Sequence, residues 1–114
     1  MGLDLFAHGV DPKKFERIPP LLCGSMFSDG QSSIRGKVYA GFINEICDVD
    51  LYQEKLKPDE LQRIITRLQM YLMDVADNPS SNPEYDDFSY EEVAALLMWF
   101  TIIKENNGTV VGWW

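Results

Sequence analysis

The sequence predicts an α+β fold, about three helices packed on a small sheet formed by the N- and C-terminal strands. Three observations carry that expectation. The start, "GLDLFAHGV", alternates apolar and polar residues as a strand does. The end, "TVVGWW", is β-branched and aromatic. Between them, apolar residues recur at three- and four-residue steps in three separate stretches. A chain of 114 residues with 46% hydrophobic content suits a single domain, 1–114, with one modest core.

The first strand is expected from about residue 2 to 8, with Leu3, Leu5 and Ala7 on one side and Asp4, Phe6 and His8 on the other. "DPKKFERIPP" then reads as an Asp-capped helical turn opened by Pro12 and stopped by Pro19 and Pro20. The first long helix is expected to start at Ser32 or Ser33, whose hydroxyls suit an N-cap. Ile34, Val38, Tyr39, Phe42, Ile43 and Ile46 form its buried face. Gly36 and Gly41 weaken a helix interior, and close packing against a neighbour is the expected reason for both.

The second helix is expected to open on Pro58, with Asp59 and Glu60 near the positive end of its dipole, and to stop near Asp77. Leu61, Ile64, Ile65, Leu68, Leu72 and Val75 draw its apolar stripe. "DNPSSNPEYDDFS" has the composition of an exposed loop. Ser89 and Glu92 then form a capping box for a third helix that is apolar nearly all round, the pattern of a central helix or of one that shows part of its surface to a partner. Asn106-Asn107-Gly108 supplies a left-handed cap, and the last strand is expected to pair with the first.

Charge excludes some functions. The formal net charge is −8, and residues 1–46 balance to zero, so residues 47–114 carry all of it. Such a surface is ill suited to a phosphate backbone, whose affinity comes from lysine and arginine displacing counterions. It suits a basic protein partner instead. No apolar run is long enough to span a bilayer and no signal-peptide pattern opens the chain, so a cytoplasmic protein is expected. Cys23 and Cys47 lack metal or redox spacing and read as reduced core thiols. Asp48, Asp50 and Glu54 only faintly resemble a calcium loop and lack its glycine, so they read as a solvated connection. No cofactor motif is present, and none is expected.

Two constellations stand out as candidate sites. The first is a small-ligand or anion-binding corner of Asp4, His8, Ser32, Ser33, Arg35 and Tyr39. An arginine in a helix's first turn opposes the dipole, so something negative is expected beside it, either a ligand or an internal carboxylate such as Asp4 or Asp29. With His8 as base, Asp4 as its orienting acid and Cys23, Ser32 or Ser33 as nucleophile, this corner is also the one place where catalysis is conceivable. The second is a partner surface: Asp86, Asp87, Glu91 and Glu92 from the acidic stretch, with Trp113 and Trp114, one of which must turn away from the core.

"MGLDL", "RGKVY" at residues 35–39 and "GTVVGWW" together resemble a group of small uncharacterised bacterial and bacteriophage proteins that open with Met-Gly-Leu-Asp. The resemblance covers the two ends and the first helix. It implies a prokaryotic or phage origin and no particular activity.

The favoured reading is a small acidic protein without catalysis that binds another macromolecule, for instance a phage or mobile-element accessory protein that blocks a basic host protein. The alternative is the ligand corner, conceivably an enzyme. A homodimer through a patch at Trp99 or Trp113 is a further option.

Overall fold

The computed structural model describes residues 2–15, 33–77 and 90–114. Strands β1 (Asp4–His8), β2 (Ser33–Ile34) and β3 (Thr109–Trp113) form an antiparallel sheet in the order β2-β1-β3. Helices α1 (Gly36–Cys47), α2 (Pro58–Asp77) and α3 (Tyr90–Glu105) pack on it, and a 3-10 turn spans Pro12–Phe15. The α+β architecture and the pairing of the first and last strands are as the sequence predicts.

Alternation along β1 turns Leu5 inward with the preceding Leu3, while Phe6 and His8 face out. The register Leu5↔Gly112 and Ala7↔Val110 brings the inward residues of β3 against the same core. In the turn at Pro12, Asp11 Oδ1 accepts the Lys13 N–H at 3.0 Å, the expected cap.

The start of α1 differs from expectation. Ser33 and Ile34 belong to β2, where they pair with Phe6 and Leu5, and the N-cap is Arg35, which makes no side-chain capping hydrogen bond. A strand edge on β1 has drawn in the residues that helix capping alone would have taken. Gly36 begins the helix against that strand: a Cβ there would lie 2.7 Å from Leu5 Cγ, so only glycine allows the approach. A Cβ at Gly41 would meet nothing within 4 Å outside its own helix backbone, which corrects the expectation that it too is packed.

Helix α2 has the bounds the sequence predicts, and Leu61, Ile64, Ile65, Leu68 and Leu72 are buried. Lys57 precedes Pro58 as the cap, its carbonyl accepting the Leu61 N–H at 3.0 Å while Glu60 Oε1 accepts its N–H at 3.0 Å. Helix α3 is central. Trp99 is fully buried, tilted against Phe15 at 6.1 Å and edge-on to Phe100 at 5.1 Å. This removes Trp99 from any surface patch, the homodimer patch included. The helix ends in a left-handed Asn107 (φ 55), with Gly108 N–H bonded back to the Ile103 carbonyl at 2.8 Å and Asn107 N–H to that of Lys104 at 3.1 Å.

Cys47 is buried and reduced, its Sγ 3.9 Å from the Ile64 carbonyl oxygen. Burial pushes its thiol up to about 12, with Arg67 opposing part of the rise. Cys23 lies outside the described residues. Among the described residues, no helix is long and apolar enough to cross a membrane.

Candidate functional site

The candidate site is built at the end of β3. Inward-facing Val110 and Gly112 alternate with outward-facing Thr109, Val111 and Trp113. The register sets Val111 opposite Phe6 and Trp113 opposite Asp4, so Phe6 and Trp113 are diagonal neighbours on the outer face. Trp113 is 72% exposed and Phe6 39%. Trp114, past the strand end, is 48% exposed and stands edge-on to Tyr52 at 5.8 Å.

The free side of β3 is closed by the α1–α2 connection. Val110 accepts the Leu56 N–H at 3.0 Å, the Glu54 carbonyl accepts the Gly112 N–H at 2.9 Å, and Lys55 bridges to Val111. Gly112 makes this crossing possible, because any Cβ there would collide with the carbonyl oxygen of Gln53. The segment is held from below. Val49 and Leu51 are buried, Asp50 Oδ1 accepts the Tyr52 N–H at 2.9 Å, and Gln53 Nε2 donates to the Asp50 carbonyl at 2.6 Å and to Glu60 Oε2 at 3.1 Å. Arg63 Nη1 donates to the Asp48 carbonyl at 3.2 Å. Asp48 and Asp50 thus shape a connection, and no group of three or more metal-ligating side chains occurs among the described residues.

The result is a shallow cleft of about 200 Å³ over the strand end, lined by Glu54, Gly112, Trp113 and Trp114. Periodicity flagged one of the two tryptophans as outward. Both are exposed, and the roles of Tyr52 and Glu54 were missed, because only the crossing of the connection over β3 brings them there.

The other predicted residues disperse. Asp4 and His8 share a strand face, but four residues of extended chain separate them by ~13 Å, too far for a base and its orienting acid. Ser33 is buried, and Tyr39 is buried with its hydroxyl donating to Glu92 Oε1 at 2.6 Å. That bond joins a residue expected in the ligand corner to one expected on the partner surface. Glu92, 3% exposed, is therefore an interior group rather than a surface acid. Glu91, one residue earlier, is exposed. Arg35 is exposed at the start of α1 and makes no side-chain capping hydrogen bond. Ser32, Asp29, Asp86, Asp87 and Ser89, the other half of the expected capping box, lie outside the described residues.

Comparison with known proteins finds no matching family model, no matching curated protein and no matching solved structure.

Proposed function

We propose that the protein is a small, acidic, non-catalytic binding protein whose partner is a basic protein, engaged through the aromatic end of the sheet. The exposure of Trp113 carries the reading: an indole 72% open to water loses contact with solvent only when something else covers it. Trp114, Phe6 and Tyr52 extend the apolar area around it, and tryptophan and tyrosine are the residues on which binding energy concentrates. The net charge of −8 favours a cationic partner and opposes nucleic acid. Action in the cytoplasm as an accessory protein that blocks a basic host protein fits these features.

The test is titration with a lysine-rich peptide at low and at high ionic strength. Binding is expected to weaken with salt, and Trp113→Ala is expected to weaken it at least about tenfold without changing the unfolding temperature. Equal affinity of the two proteins, or a phosphate-induced rise in unfolding temperature that Arg35→Ala removes, would overturn the reading in favour of an anion site at the start of α1.

A further inference from the structure

We propose that the cleft between Trp113 and Trp114 receives a single cationic side chain of the partner, the head group of a lysine or arginine; this rests on the reading of the protein as a binder of basic proteins. Among the described residues, two tryptophans, a glutamate and a glycine line the cleft, and no lysine or arginine does. An indole face is electronegative and attracts a cation placed over it, most strongly where water is thinned. Glu54, exposed on the connection, adds a full negative charge at the same opening, which a purely apolar group entering the cleft would have to desolvate without return.

Size agrees with charge. A volume of about 200 Å³ holds several waters at ~30 Å³ each and falls below the ~300–1,000 Å³ of sites that bury whole small molecules. It suits one head group. Trp114 stands edge-on to Tyr52, and the Glu54 carbonyl accepts the Gly112 N–H, so the backbone of Glu54 is tied to the strand that carries the tryptophans. Lys55, paired with Val111 on the outer face, is not among the residues that line the cleft.

The experiment uses choline, N-acetyl-lysinamide and N-acetyl-argininamide as probes, with choline's uncharged carbon isostere as the control, at constant ionic strength. The three indole N–H signals are followed by NMR. Buried Trp99 reports the fold and should stay still while Trp113 and Trp114 move. The isostere is expected to bind about two- to fivefold more weakly than choline, Glu54→Gln to weaken choline by a similar factor, and Trp114→Ala to abolish the response with the Trp99 signal unchanged. Equal binding of choline and its isostere, or no movement of Trp113 and Trp114 with any cation, would overturn the proposal. The two readings fail separately. Silent indoles with peptide binding still dependent on Trp113 remove the cleft and leave the partner surface; moving indoles with peptide binding indifferent to Trp113 keep the cation site and remove the partner surface.

Discussion

Trp99 and Trp113 lie in neighbouring elements, α3 and β3, yet one is sealed in the core against Phe15 and Phe100 and the other is 72% exposed. Glu91 and Glu92 repeat the contrast one residue apart, the first exposed and the second 3% exposed under the Tyr39 hydroxyl. Side-chain chemistry decides neither case. A helix covered on most of its circumference takes in even its carboxylate, while an antiparallel strand with one face on the core sends every second residue out, whatever that residue is.

The largest effect that would break this comparison is on stability. Trp99→Ala removes a fully buried indole and should cost about 3–5 kcal/mol, whereas Trp113→Ala should stay within about 0.5 kcal/mol of wild type in denaturant unfolding. Similar losses for both would mean that Trp113 is structural and that the exposed surface has been misread.

The glutamates sharpen the same contrast at smaller scale. Glu92→Ala removes the buried carboxylate to which the Tyr39 hydroxyl donates and should cost about 1–3 kcal/mol, against about zero for Glu91→Ala. Tyr39→Phe, Glu92→Ala and the double variant form a cycle, and a coupling below about 0.5 kcal/mol would reduce the 2.6 Å bond to an incidental contact.

A third contrast is a pH slope. The folded Cys47 thiol keeps its proton to about 12 while the unfolded thiol releases it near 9.0, so the unfolded state holds fewer protons in that window and stability falls as pH rises through it. The loss attributable to Cys47 approaches about 1.4 kcal/mol per pH unit and should vanish in Cys47→Ala. An identical slope in both proteins would place the thiol in a wetter site than the core around Ile64.

Much of the fold was legible because local signals and tertiary structure agreed. The bounds of α2 follow from Pro58, its acidic first turn and an unbroken apolar stripe, and the pairing of β1 with β3 follows from two end segments that each need a partner. What was not legible depends on residues far apart in the chain. Ser33 reads locally as a cap and is a strand residue because β1 had an edge to fill. Glu92 reads as half of a capping box and is buried because Tyr39, 53 residues away, meets it. Tyr52 and Glu54 carry no periodic signal and enter the site only because the α1–α2 connection crosses Gly112. Of the candidate site, the exposed tryptophan was readable from alternation; its surroundings were not.

The most direct test of the central claim is a map of backbone amide NMR shifts as the lysine-rich peptide is added. The account predicts the largest changes at Gln53–Leu56 and Val111–Trp114, with Gly36 to Tyr39 unaffected. Changes concentrated at Ser33 to Tyr39, with the aromatic end of the sheet silent, would contradict it.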